Sequence, residues 1–186
     1  YDIRTTLIRR TSDSDLDGGS GDDLDYTAES DMNLYQLSSK IDNSKGFTNF
    51  TFSRTEYDRE YVNGAEIDEY DSIGNTFLLT NTIMEDRYDI TPGIEYEYFD
   101  GSFKNRGSYS SSVDVDGENV GYFVNGNMMA SDKLLVSAGV RQDDPSLFGK
   151  YTTYRLGGTY DISGALKLKS NYATSVKTPT LYEMHG

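Results

Sequence analysis

The sequence predicts an all-β protein, an antiparallel up-and-down sheet whose strands cross a membrane. Three observations predict it. Apolar and polar residues alternate with period two along most of the 186 residues, which places successive side chains on opposite faces of a strand. No apolar run approaches the roughly 18 residues that a membrane-spanning helix needs, a limit that membrane β-barrels do not share. The alternating segments also run to about 10 residues, longer than the 5–6 usual in soluble sheets. They carry charges along one face and Tyr toward the ends of the other, as an aromatic girdle requires.

Each strand can be read in turn. The first two are marked by Ile3 and Leu7, then by Tyr35, Leu37 and Ile41. Phe50 and Phe52 mark the third, and Ile73, Phe77, Leu79 and Ile83 the fourth, with Leu78 out of phase. The fifth is the clearest: Tyr88, Ile90, Ile94, Tyr96 and Tyr98 interleave with Asp89, Thr91, Glu95 and Glu97. Val120, Tyr122 and Val124 give the sixth. Leu134, Val136, Ala138 and Val140 give the seventh, against Lys133, Ser137 and Arg141. Tyr154, Leu156, Tyr160 and Ile162 oppose Thr153, Arg155 and Asp161 in the eighth. Leu166, Leu168, Tyr172 and Val176 oppose Lys167, Lys169 and Asn171 in the ninth.

The connections alternate between long and short. Long ones are expected at Thr11 to Asp31, Tyr57 to Asp68 and Asp100 to Glu118, with an intermediate one at Asp143 to Gly149. Short ones fall at Asn43-Ser44-Lys45-Gly46, Glu85-Asp86, Ser131-Asp132 and Ser163-Gly164. In a meander, alternate connections lie at one end of the sheet. Tight turns at one end and polar loops at the other are the arrangement of outer-membrane barrels.

Composition excludes several functions. With 31 acids, 17 bases and a net charge of −14, the chain lacks the basic surface that nucleic-acid partners want. Aromatics at 13% argue against a disordered acidic chain. Cysteine is absent, so disulfides, Cys-ligated zinc and a thiol nucleophile are excluded. The one His, His185, gives no catalytic triad support, and no phosphate-binding Gly loop is present. No catalytic residue is assigned and no enzyme is expected. No signal peptide is recognised.

Residues 11–31 hold Asp13, Asp15, Asp17, Asp22, Asp23, Asp25, Glu29 and Asp31 and no base. Such a density repels itself unless water, salt or a cation relieves it. Asp13-x-Asp15-x-Asp17-Gly18 matches the opening of a calcium loop, but position twelve is Leu24 where a bidentate Glu belongs. Calcium held by Asp13, Asp15, Asp17, Asp22, Asp23, Asp25 and Asp31 in another geometry is one expectation; a solvated acidic loop is the other. Tyr57, Tyr61 and Tyr109, placed in loops, are candidate ligand-binding residues, because tyrosine offers flat amphipathic surface.

The last third carries a resemblance. Gly121-Tyr122-Phe123 opens a strand, and the next ends in Val140-Arg141-Gln142-Asp143-Asp144. Ser146, Phe148-Gly149 and Thr152-x-Tyr154-Arg155-x-Gly157 follow. The segment closes on Leu166-Lys167-Leu168-Lys169-Ser170-Asn171-Tyr172-Ala173-Thr174-Ser175-Val176-Lys177-Thr178-Pro179-Thr180-Leu181-Tyr182-Glu183. This resembles the barrel of TonB-dependent outer-membrane receptors, whose pattern reads Y-G-T-(G/S)-(F/Y)-K-A-P-(S/T/N)-L. Ala173 stands where the family has Gly, and Thr178 where it has Ala. The motif match covers Asn119 to Gly186; from Tyr1 to Gly117 the likeness is one of topology.

The resemblance implies a 22-stranded barrel closed by a plug, of which residues 1–186 form a partial transmembrane barrel of about nine strands, with the plug and the remaining strands absent. It implies uptake of a scarce nutrient, a corrinoid or ferric siderophore, across the outer membrane of a Gram-negative bacterium. Outer-membrane lipid, the plug and TonB would be partners, and calcium on the Asp-rich loop a possible cofactor. Glu95, Glu97, Arg141, Arg155, Lys167 and Lys169 would face a wet interior. Two rivals compete: a complete barrel of eight or ten strands with a structural or adhesive role, and a soluble calcium-binding β-domain.

Overall fold

Alternation of this kind folds as expected, into one antiparallel sheet. The structure, a computed structural model, describes residues 1–17, 21, 25–107 and 110–177. The end of the family-like motif, from Thr178 through Pro179 to Glu183, and His185 lie outside the described residues. Nine strands follow one another in sequence order: β1 (Asp2–Asp15), β2 (Tyr26–Asn43), β3 (Gly46–Asn63), β4 (Glu66–Met84), β5 (Tyr88–Arg106), β6 (Ser111–Ser131), β7 (Leu134–Pro145), β8 (Tyr151–Ser163) and β9 (Leu166–Ala173). Each pairs with its sequence neighbours, so β1 and β9 are the two edges. Among the described residues, therefore, no closed small barrel is formed.

One layer of sheet has no interior. Among the described residues the only buried apolar side chain is Ala28, while Leu168 is 60% exposed. The chain exposes 12902 Å², against roughly 9,000 Å² expected of a compact soluble protein of this mass. Tyr96, Val136 and Leu168 lie on one face with no second layer over them. A soluble domain would have hidden that face.

Cross-strand register assigns every side chain to a face. One row across the strands reads Thr5, Leu37, Phe52, Phe77, Tyr96 and Val120. The neighbouring row on the same side reads Ile3, Ser39, Phe50, Leu79, Ile94 and Tyr122. From β6 to β9 the same side carries Val124, Val140 and Tyr154, then Leu156 and Tyr172. Phe52 and Phe77 touch at 4.7 Å between ring centroids, and Phe77 and Tyr96 at 6.3 Å. This apolar face moves toward the tight-turn end from β1 to β9, as strands tilted through a bilayer require. The opposite, polar face carries Glu95, Glu97, Arg141, Arg155, Lys167 and Lys169. Leu78 belongs to it, opposite Thr51 and Glu95.

The expected long loops are corrected. β3 continues to Asn63 and β4 starts at Glu66, so the connection placed at Tyr57 to Asp68 is a turn of Gly64 and Ala65. Gly64 has a φ of 58°, and Gly at the first central position is what a type II′ hairpin turn needs. β5 and β6 likewise run to Arg106 and from Ser111, and β1 and β2 to Asp15 and from Tyr26. Strands β2 to β6 have 18, 18, 19, 19 and 21 residues, whereas about 9–11 suffice to cross a bilayer. The surplus projects as hairpin rather than loop. Backbone amides that would have needed water or side chains as partners are paired in the ladder instead.

Replacing Leu79, in the middle of the apolar face, by Arg should destabilise the assembled barrel by about 2–4 kcal/mol. Thr80→Arg, one residue on and facing the other way, should cost little. Urea titration of the two variants in lipid vesicles compares them.

Candidate functional site on the projecting hairpins

The register shows no shift from β1 to β6, so a face keeps its identity along each strand's full length. Its chemistry does not. On the side that carries Phe52, Phe77 and Tyr96, the projecting part carries Glu29, Asp31, Glu56, Asp58, Glu60, Glu69, Asp71, Asp100, Asp114 and Asp116. On the side that carries Glu95 and Glu97, it carries Tyr26, Tyr57, Tyr61, Tyr70, Phe99 and Phe103. Apolar-out and polar-in becomes acidic-out and aromatic-in.

The aromatic residues form a ledge across four strands. Tyr26 and Tyr61 lie 6.4 Å apart between ring centroids, Tyr61 and Tyr70 5.9 Å, and Tyr70 and Phe103 4.8 Å. Tyr61 and Tyr70 meet edge to face at 79°, the geometry that the ring quadrupole favours. The Arg59 guanidinium sits 4.4 Å above the Tyr61 ring. A groove of about 350 Å³ opens along Tyr26, Tyr57, Arg59, Tyr61, Asp68 and Tyr70. Asp68 accepts a hydrogen bond from the Asn105 side-chain amide at 2.5 Å. Burial and then the Asp68 carboxylate push the Tyr70 phenol above its ordinary range, so it stays neutral at physiological pH.

Tyr57 and Tyr61 therefore share one surface, but they reach it from a strand rather than a loop. Tyr109 lies outside the described residues. Tyr26, Arg59, Tyr70 and Phe103 do not stand out in the sequence pattern. The signal that would have found them is the Asn63-Gly64 turn: once it is read as a hairpin, Tyr61 and Tyr70 fall on one face.

The acidic residues are placed as follows. Asp13 and Asp15 belong to β1 and Asp31 to β2, while Asp17 and Asp25 lie in the connection between them. Asp22 and Asp23 lie outside the described residues. Asp13 pairs with Glu29, and Asp31 with Thr11. Among the described residues no three acids or histidines are grouped to hold a metal ion. Two rows oppose like charges directly: Asp31, Asp58 and Asp71, then Glu29, Glu60 and Glu69. Such pairs are unfavourable. Partial burial, then the Asp71 carboxylate beside it, holds the Asp58 carboxyl above its usual range.

Below the ledge, the polar face is tied by one side chain. Arg141 donates from Nη2 to Glu95 Oε1 at 2.7 Å and to Asp143 Oδ1 at 2.7 Å, and from Nε to both Asp143 oxygens. Asn119 donates to Glu97 and to Asp143, each at 3.0 Å. Asp143 is 3% exposed, so its charge depends on these partners. Arg141 on β7 reaches β5 because the residue between them is Gly121; a Cβ there would meet the guanidinium. The network spans three strands with no covalent bond.

A single-layer meander with a greasy face, an ion-paired face and hairpins standing beyond the greasy band is a sector of a transmembrane β-barrel wall. The chain belongs to the TonB-dependent receptors: the family described as "TonB dependent receptor-like, beta-barrel" matches residues 1–186. It is 25% identical over 180 residues to the vitamin B12 transporter BtuB of Photobacterium profundum, covering 91% of this chain and 28% of that protein. The chain thus spans less than a third of that relative's length. Among solved structures, the RagAB peptide importer in its open-open state matches with a TM-score of 0.54 and 17% identity, over 80% of this chain and 22% of the other. The RagAB peptide transporter matches at 0.51 and 17%, over 74% and 20%. At that identity the likeness is one of fold.

The Asp58 shift has a pH consequence. The folded chain holds this proton more tightly than the unfolded chain does, so stability falls as pH rises from about 4, the ordinary Asp value, through the raised folded value. Asp58→Asn should therefore protect the amides of residues 56–73 at pH 7 relative to the parent. The gain should vanish below about pH 4. Hydrogen exchange, corrected for intrinsic rates at each pH, reads it.

Proposed function

We propose that this chain is a barrel sector of a receptor that captures a scarce nutrient and imports it across the outer membrane of a Gram-negative bacterium. The family match over residues 1–186 carries the reading. The exposed apolar face supports the membrane placement: it would touch lipid, while Glu95, Glu97, Arg141, Arg155, Lys167 and Lys169 would face a hydrated bore. The rest of the barrel wall and a plug would come from sequence beyond this sector. The plug would present its surface to the ion-paired face and would transmit energy from TonB. No covalent chemistry is needed for this role, and we assign no catalytic residue.

The aromatic ledge would serve as part of the capture surface, with Tyr57 and Tyr61 among its contacts. It stands on the bore side of hairpins that project beyond the bilayer, where an arriving cargo first meets the wall. Cobalamin or a ferric siderophore is the cargo we favour. The likeness to a vitamin B12 transporter supports the first. Tyr61→Ala combined with Tyr70→Ala in the intact receptor should lower cargo binding about fivefold or more, because ring-stacking contacts are each worth about 0.5–1.5 kcal/mol beyond buried area. Uptake of labelled cyanocobalamin and of ferric siderophores, measured in a strain lacking the native receptor, tests the function. Uptake of neither would overturn it.

Calcium remains part of the proposal for the acids at the end of β1, in the connection after it and early in β2. Bound there, it would relieve the repulsion among Asp13, Asp15, Asp17, Asp25 and Asp31, with Asp22 and Asp23 as further ligands. Millimolar calcium should then slow protease cleavage within residues 11–31. An unchanged cleavage rate would remove calcium from the account.

A further inference from the structure

The ledge contains a cation with nothing to hold. Although the sequence carries 31 acids, Arg59 has no carboxylate within ion-pair distance among the described residues, and its Nε is buried without a hydrogen-bond partner. A guanidinium on the other face of the same projecting hairpins, Arg106, is paired to Glu69 at 2.8 Å. The contrast follows from parity. Glu56, Asp58, Glu60, Glu69 and Asp71 point to the opposite side of the sheet from Arg59. Asp68, the acid of its own groove, is not within ion-pair distance of Arg59 and accepts its hydrogen bond from the neutral Asn105 amide. What Arg59 does touch is the face of Tyr61.

An Arg stacked on an aromatic ring keeps its in-plane N–H donors directed away from the ring. Arg59 lines a groove of about 350 Å³ whose other walls are Tyr26, Tyr57, Tyr61, Asp68 and Tyr70. A buried N–H left unpaired is costly, and a planar guanidinium is matched by carboxylate or phosphate. We infer that the groove is a subsite for a flat ligand group bearing an anion, in which the rings of Tyr61 and Tyr70 take the apolar plane and Arg59 selects the charge. This rests on the capture reading above and narrows it: the cargo, or the arm of it that meets this hairpin, carries a carboxylate or phosphate next to a flat apolar portion.

Three probes with one ring and different charges test it: 2-naphthoate, 2-naphthylmethanol and 2-naphthylmethylamine, with 2-naphthyl phosphate to separate the two anion types. Binding is measured on the purified intact receptor in detergent by saturation-transfer NMR or equilibrium dialysis. The anions should bind more tightly than the alcohol, and the amine most weakly. Arg59→Gln should weaken the anions roughly tenfold and leave the alcohol within about twofold; Arg59→Lys should restore part of the preference. Tyr61→Ala should weaken all four. Heat-modifiable gel mobility checks that each variant has folded.

Equal loss of charged and neutral probes in Arg59→Gln would overturn the assignment, as would a preference for the amine or an absence of binding. These outcomes are independent of import. A receptor that takes up its cargo but shows no anion preference refutes the subsite alone, whereas anion selectivity without uptake refutes the import function alone.

Discussion

Every feature of this chain depends on the two-residue period of an extended backbone laid against its neighbours in an antiparallel ladder. A strand cannot rotate a side chain from one face to the other without a bulge, and between β1 and β6 the register contains no shift. Chemistry can therefore change along a face only by changing the residues placed on it. The sequence does this once, at the level of Phe52 to Arg54 in β3, Tyr98 to Asp100 in β5 and Glu118 to Val120 in β6. In the proposed placement, the face meets hydrocarbon on one side of that line and water on the other. A membrane boundary is thus written into five strands as a change in which parity is apolar.

The polar face of such a sheet needs a different kind of cohesion. It has no core to bury, and ions stay there only if paired or wet. Glycine makes the pairing possible across more than one strand. Gly121 lets Arg141 lie flat and reach Glu95, and Gly93 gives the Phe123 ring a seat in the same way. Removing either hollow would force the large side chain upright, into the bore. The small residues set the height of this surface, and so the space left over it for whatever fills the bore.

The same change of parity explains what could be read from the sequence and what could not. The nine strands, their order and their membrane-facing side were legible because Tyr88, Ile90, Ile94, Tyr96 and Tyr98 alternate in one phase. Past Tyr98 the apolar residues are Phe99 and Phe103, in the other phase, and an alternation that slips by one looks like the end of a strand. Tyr57 and Tyr61 look like loop residues for that reason: Phe50 and Phe52 are even-numbered, and these tyrosines are odd. The turn at Asn63-Gly64 was present in the sequence but was outweighed by the polar residues around it. Which acids face each other was hidden as well, because Asp31, Asp58 and Asp71 become neighbours only through a register that spans three strands.

A projecting hairpin of this design separates two electrostatic surfaces by the thickness of one sheet. Asp58 and Arg59 are adjacent in sequence and point to opposite sides. The acids are beyond ion-pair reach of Arg59, and at physiological salt the Debye length of about 8 Å dampens their field across the sheet. An anion approaching the outer surface meets rows of opposed carboxylates. Arg9 and Arg106 pair with Asp31 and Glu69 at the flanks of those rows, which leaves Asp58 facing Asp71 at the centre. An anion inside the bore meets rings, the carboxylate of Asp68 and the Arg59 guanidinium, which has no ion-pair partner among the described residues. Strand parity alone keeps those surfaces apart, so a single-residue slip in β3 would mix them: Arg59 would join the acids of β2 and β4, and Tyr57 and Tyr61 would leave the ledge for the water outside.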